Sequence, residues 1–172
     1  RKFDYSSLEY FIYSAAPMSA ERLKSAIDVF GPVMTQGYGQ AEVPLLCTFM
    51  SPGDHLIALT EGLHHRFESC GRPSHLMRLK VVDEAGGVVA TGELGEIVVQ
   101  GSLVSKGYYK DPRLTQEVLR EGWHHTGDIG RIDPDGFVYI VDRKKDMIIS
   151  GGFNVFSSEV EQIVMQHPDV GN

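Results

Sequence analysis

"YFIYSAAPMSAERLKSAIDVFGPVMTQGYGQAE" runs from Tyr10 to Glu42. It opens with a short β-prone run, Tyr10-Phe11-Ile12-Tyr13, ended by the small residues Ser14-Ala15-Ala16-Pro17. Ser19 then stands where a helix N-cap belongs, ahead of Glu21, Leu23, Ala26, Ile27 and Phe30 at helical spacing, and Gly31-Pro32 stops the pattern. Val33-Met34-Thr35 reads as the next strand. Strand, helix and strand in this order predict the tail of an α/β unit, whose parallel sheet presents its loops at the carboxyl edge. The loop after the second strand is expected at Gln36-Gly37-Tyr38-Gly39-Gln40-Ala41-Glu42, with glycines permitting backbone conformations that other residues resist.

From Met77 onward the pattern changes. Met77, Leu79 and Val81 alternate, Asp83-Glu84-Ala85-Gly86-Gly87 supplies a turn, and Ile97-Val98-Val99 follows, which predicts a hairpin. Asp133-Pro134-Asp135-Gly136 is a second turn, between Ile129–Arg131 and Phe137–Val141. Pro112 to Arg120 reads as a short helix, and Ser158 with Glu161 fits a capping box that opens a last helix closed by Pro168. The predicted fold class is mixed α+β: the tail of a parallel α/β sheet, an antiparallel barrel-like module, and the start of a small α+β unit.

The chain has 172 residues, 42% of them hydrophobic and 23% charged, enough to bury a core and too apolar for a disordered tail. Its net charge of -7, without a cluster of Lys and Arg, argues against nucleic acid as a partner. Two cysteines, Cys47 and Cys70, suit a reducing, cytoplasmic setting. No apolar run is long enough for a transmembrane segment. A start at Arg1 without Met, and an end just past a helical pattern, are expected of a piece of a longer protein.

Several short constellations carry chemistry, each with a plainer reading beside it. Tyr38 and Glu42, flanking Gly39, offer a ring for stacking on a base and a hard oxygen for Mg²⁺, or else form an ordinary corner with a solvated carboxylate. Trp123-His124-His125-Thr126-Gly127-Asp128 ends in a carboxylate just before a strand, able to accept both hydroxyls of a ribose, or to serve as a turn residue. Asp142-Arg143-Lys144-Lys145-Asp146 puts five charges between apolar runs; Arg143 is a planar donor for ribose or phosphate, or one charge of a surface turn. Gly151-Gly152 marks a bend, a close approach or simply a loop. His64, His65, Cys70 and His75 match no zinc spacing, Asp133–Gly136 lacks the Glu of a calcium loop, and His124 and His125 pair with no nucleophile.

Taken in series, Tyr13–Pro17, Gly37–Glu42, Gly92-Glu93-Leu94-Gly95-Glu96-Ile97, Lys106-Gly107-Tyr108-Tyr109, Thr126-Gly127-Asp128 and Asp142–Ile148 with Gly151-Gly152 resemble the acyl-adenylate-forming superfamily. The wording Ile-Ser-Gly-Gly-Phe-Asn-Val is most similar to the acyl-CoA synthetases. The resemblance implies ATP-dependent activation of a small carboxylic acid as acyl-AMP and its transfer to the thiol of coenzyme A. It implies that Tyr38 stacks on adenine beside a wall of Ala15, Ala16 and Pro17. Gln36 and Gly37 would line the junction of nucleotide and acyl group, with Gly39 and Ala41 completing the nucleotide loop. Glu42 would bind Mg²⁺, Asp128 would hold the ribose hydroxyls and Arg143 would assist it.

By the same resemblance, residues 1–76 are the end of a large N-terminal domain, 77–143 its β-rich subdomain, and 144–172 a hinge and the start of a C-terminal domain. Lys145 would be the pivot, and Gly151 and Gly152 would lie near the thiol tunnel. A phosphate loop is expected upstream of Arg1 and the catalytic lysine downstream of Asn172, so no catalytic residue is assigned within the chain and it is expected to be inactive alone. Ala41 stands where the family usually has Thr, which leaves a backbone amide for phosphate contact. A non-catalytic nucleotide-binding or interaction module on the same fold, or a peptide-synthetase adenylation domain, are the alternatives. A sheet edge bared by the cut would favour a homodimer or strand exchange.

Overall fold

A computed structural model of the chain describes residues 3–15, 18–150, 153–164, 167 and 170. Strand β1 (Phe11–Tyr13) pairs in parallel with β2 (Met34–Gln40), and α1 (Ala20–Phe30) is the crossover between them. The Ser19 hydroxyl accepts from the Arg22 amide at 3.3 Å, and Gly31, at φ +89°, closes the helix by donating its N–H to Ile27 O at 2.8 Å. The helix buries Leu23 and Ile27 against the sheet, each worth about 1.5–3 kcal/mol of transfer free energy.

The segment after Glu42, for which the sequence predicts no element, forms most of the remaining sheet. Strand β3 (Val43–Met50) runs antiparallel to β2, and β4 (Arg72–Pro73) pairs with β3. Between them lie α2 (Pro52–Thr60) and a 3-10 turn, His64–Glu68. Helix α2 carries a reciprocal cap in which Ser51 and Asp54 each bind the other's backbone amide, with Pro52 at the first turn where no N–H is needed.

The second sheet is a curled antiparallel half-barrel. It contains β5 (Met77–Val82), β6 (Gly95–Gly101), β7 (Leu119–Arg120), β8 (Trp123–Ile132) and β9 (Val138–Arg143), ordered β5-β6-β8-β7 with β9 also on β8. The Asp133–Gly136 segment is the predicted turn; the Asp133 carboxylate accepts from the amides of Asp135 and Phe137 at 2.9 and 2.8 Å. Helix α3 (Pro112–Val118) precedes β7, and a hairpin of β10 (Ile148–Ser150) and β11 (Phe153–Val155) leads into α4 (Ser157–Val164).

Two apolar cores result, and both draw on both large sheets. Tyr13, Leu23, Ile27, Met34, Met50, Ala58 and Phe67 meet Phe137 and Tyr139 in the first; Val43, Cys47 and Cys70 meet Met77, Val81, Ile97, Val99 and Val138 in the second. The successive residues Val138 and Tyr139 at the start of β9 therefore face different cores, as the two-residue period of a strand requires. The mixed α+β class holds.

Five local expectations are corrected. Gln36–Gln40 is strand, with a bulge between Tyr38 and Gln40, and only Ala41-Glu42 turns. Gly39 is required by close packing rather than by an unusual φ: a Cβ there would meet Leu45 N and Val43 O at 2.4 Å. Asp128 lies within β8 rather than before a strand, because that strand continues through a bulge at Ile129/Gly130. Helix α3 ends at Val118, since Leu119 and Arg120 pair with β8, and α4 starts at Ser157, one residue ahead of the predicted cap. Ser157 Oγ instead donates to the Asp142 carboxylate at 2.9–3.0 Å.

Candidate functional site

The Asp128 carboxylate is the centre on which three strands converge. Gly127, at φ +70°, lets β8 bend, and Asp128 N donates to Thr126 Oγ1 (3.0 Å), which itself donates to Ile97 O (2.7 Å). The carboxylate is thus aimed inward and is 2% exposed. From β9, its cross-strand partner Arg143 places Nε 2.9 Å from Oδ1. From β2, the Tyr38 hydroxyl and Gln40 Nε2 (2.7 Å) both donate to Oδ2. Burial, then the neighbouring Asp128 charge, hold the Tyr38 phenol far above its ordinary range, so it stays a donor.

Arg143 is half exposed and borders a cavity of about 400 Å³ lined by Gln40, Glu42, Tyr108, His124 and Thr126. Across it, Glu42 accepts a hydrogen bond from the Tyr108 hydroxyl, which is the main reason its carboxyl lies below the usual range. Glu42 also fixes the loop before α3 through its backbone, since Ser105 N donates to Glu42 O at 2.8 Å. Among the described residues no cluster of three or more His, Cys, Asp and Glu side chains could hold a metal ion by itself. Glu42 offers one hard oxygen on an open, polar cavity. That donor set fits a Mg²⁺ ion that keeps waters and takes its other oxygens from phosphate.

Of the residues singled out by sequence, the structure brings together Tyr38, Ala41, Glu42, Asp128 and Arg143. Gly37 and Gly39 lie in β2 against Leu45 of β3. Gln36 is turned elsewhere: its Oε1 faces the Tyr13 hydroxyl at 3.5 Å. Ala15 is exposed at φ +74° just past β1, and Lys145 is exposed in the turn after β9. Ala16, Pro17, Gly151 and Gly152 lie outside the described residues.

Two clusters escape the sequence reading. Glu96, 9% exposed, accepts from Lys144 Nζ at 3.0 Å, from Gly127 N at 3.2 Å, and faces His125 Nδ1 at 3.3 Å. Burial pushes its carboxyl up, but Lys144 and His125 together outweigh burial and leave it lowered. Lys144 N also donates to Gly127 O at 2.8 Å, so the turn bearing Lys145 is tied to β8 by backbone and side chain. A second cavity, about 260 Å³, opens beside this cluster between Lys80, Arg120 and Trp123. The other cluster is His55, fully buried on α2, whose Nδ1 meets Ser51 O at 2.7 Å and whose Nε2 meets the Tyr13 hydroxyl at 2.9 Å. The Glu96 partners stand in motifs noted from sequence; a single His inside α2 carried no signal.

The family profile described as AMP-binding enzyme matches residues 1–109. The chain belongs to that family. Its relatives include the medium/long-chain-fatty-acid–CoA ligase FadD8 of Mycobacterium tuberculosis, 48% identical over 97% of this chain and 28% of that protein. Feruloyl-CoA synthase of an Amycolatopsis species is 39% identical over 99% of this chain and 33% of its own length. Among solved structures, O-succinylbenzoate coenzyme A synthetase from Bacillus subtilis in complex with AMP superposes with a TM-score of 0.79 at 31% identity, over 94% of this chain and 31% of that one. Amide bond synthetase McbA from Marinactinospora thermotolerans gives 0.84 at 34% identity, over 96% and 32%. The chain therefore spans about a third or less of the length of these relatives. No helix among its described residues is long and apolar enough to cross a membrane.

Proposed function

We propose that the full-length protein is an AMP-forming acyl-CoA ligase of the cytoplasm. It activates a carboxylic acid with ATP as acyl-AMP and passes the acyl group to the thiol of coenzyme A. The observation that carries this reading is the buried Asp128 carboxylate, held by Tyr38, Gln40 and Arg143 beside a polar cavity with Glu42 on its far side. An ionised carboxylate is acceptor-only, which suits the two hydroxyls of a ribose. Tyr38, half buried, offers its ring to adenine, with Ala15, Ala16 and Pro17 completing that wall.

Arg143 is the mobile donor, exposed on one side and able to leave Asp128 for a ribose oxygen or a phosphate. Glu42 holds Mg²⁺, which when bound neutralises charge on the phosphates. Gln36 and Gly37 border the acyl group, Ala41 contributes its backbone amide to phosphate, and Gly151 and Gly152 leave room for the thiol. Residues 1–76, 77–143 and 144–172 form the end of the large domain, its β-rich subdomain, and the hinge with the opening of the mobile domain; Lys145 is the pivot.

ATP–pyrophosphate exchange with a panel of carboxylic acids tests the proposal, with Asp128→Ala and Arg143→Ala as controls. Exchange that depends on one class of acid and collapses in both variants supports it. No exchange with any acid, from a folded protein that binds ATP, refutes it in favour of a binding module. The structural likeness to an amide bond synthetase makes an amine the second acceptor to offer beside coenzyme A.

A further inference from the structure

Gln40 makes three contacts, and together they fix which way round its carboxamide lies. Nε2 stands 2.9 Å from Thr126 O and 2.7 Å from Asp128 Oδ2. Both neighbours only accept, so these contacts use both hydrogens of the amide nitrogen. A flipped amide would set its oxygen against a carbonyl and a carboxylate. The Gln40 oxygen therefore faces His124 Nε2, at 3.3 Å, and as it can only accept, Nε2 carries the hydrogen. His124 is 2% exposed, and burial lowers its pKa, which favours the neutral ring with that hydrogen in place. The next residue, His125, points to the opposite face of β8, toward Glu96, so the Gln40 contact belongs to His124 alone.

The carboxylate of Asp128 now has three donors for about four acceptor positions. A ligand presenting two hydroxyls must displace one of them. Arg143, whose side chain is 53% exposed, can swing away, whereas Gln40 is anchored at Thr126 O and His124 as well as at Asp128. We infer that Gln40 is a positioning residue that fixes the diol-binding edge of Asp128, and that His124 acts through it by locking the carboxamide orientation. The inference rests on the ribose-binding reading of Asp128 given above. It assigns a task to His124, which that reading leaves unused.

The test compares ATP with 2′-deoxy-ATP in the full-length protein, using the ratio of kcat/KM values in pyrophosphate exchange. Gln40→Met keeps the length of the side chain and removes its hydrogen bonds. It is expected to cut discrimination against the deoxynucleotide roughly tenfold, about 1.4 kcal/mol, with the loss falling on KM for ATP rather than on kcat. His124→Phe should give a smaller cut, and His124→Gln, which restores a donor, should recover discrimination. If Gln40→Met lowers activity with both nucleotides equally, Gln40 is merely structural and the inference fails. If Gln40→Met does not fold, the histidine pair decides: a folded His124→Phe with wild-type discrimination overturns the inference. If the wild type exchanges with no acid, the ligase reading fails separately. The Kd ratio of ATP to 2′-deoxy-ATP, measured without any acid, then decides this one, and failure to bind ATP overturns both.

Discussion

Adding one methyl group at Gly39 should disable the Asp128 clamp from a distance. A Cβ at this position would lie 2.4 Å from Leu45 N and from Val43 O, both backbone atoms that cannot rotate aside. Ordinary contact begins at 3.4 Å, so β2 and β3 must part by about 1 Å (3.4 − 2.4) at the bulge. Overpacking of this kind costs about 1–3 kcal/mol. Losing a ladder hydrogen bond beside it adds roughly 1 kcal/mol, for a total near 3 kcal/mol. Tyr38 and Gln40 flank the insertion on the same strand, so their bonds to Asp128 Oδ2 stretch with it. Urea unfolding of Gly39→Ala, with a slope of about 2 kcal/mol per M, should show a midpoint lower by roughly 1.5 M. Gly127→Ala is the comparison: φ is +70° but nothing lies within 4 Å of the added Cβ, so its cost is the left-handed penalty alone, about 1–2 kcal/mol. A Gly39→Ala midpoint at or above that of Gly127→Ala would refute the packing argument.

Leu23→Ala, at a fully buried site in the first core, should cost about 2–5 kcal/mol by the same urea assay. Glu96→Gln should cost about 1.5–3 kcal/mol at pH 7, through its hydrogen bond to the charged Lys144. Because the folded state lowers the Glu96 carboxyl from its ordinary 4.5, its contribution is present above about pH 4.5 and is lost as pH falls through the folded value; the variant should show a shallower acid limb. His55 and His124 are both lowered from 6.5, chiefly by burial. Below pH 6.5 the unfolded chain binds protons that the folded one refuses, so stability should fall from pH 7.5 to 5.5. His55→Phe should flatten part of that slope in unfolding curves taken at each pH, and an unaltered slope would count against it.

Elements whose signals are local were legible: the Ser19 cap and Gly31 stop around α1, the alternation of β5, and the Asp133–Gly136 turn all stand as read. What failed was decided by distant neighbours. Gly37–Gly39 looks like a loop in sequence, and becomes strand only because β3 folds back on it. Glu42, Asp128 and Arg143 could each be named, since carboxylates and guanidiniums announce their chemistry. That Gln40 and His124 join them could not be read, because it depends on how β2 of one sheet packs against β8 of the other. The same holds for Glu96 with Lys144, 48 residues apart.

Strand β9 gives the molecule a shared wall. Tyr139, with Phe137 just ahead of the strand, closes one apolar core while Val138 closes the other. Peeling this strand away would wet both cores at once, so neither can loosen while the other stays dry. The two large sheets are thereby bound into one cooperative melting event, and amides of α1 and of β6 should exchange with solvent at a common, slowest rate. Among the described residues, none beyond Arg143 belongs to either core, so this coupling stops at the end of β9.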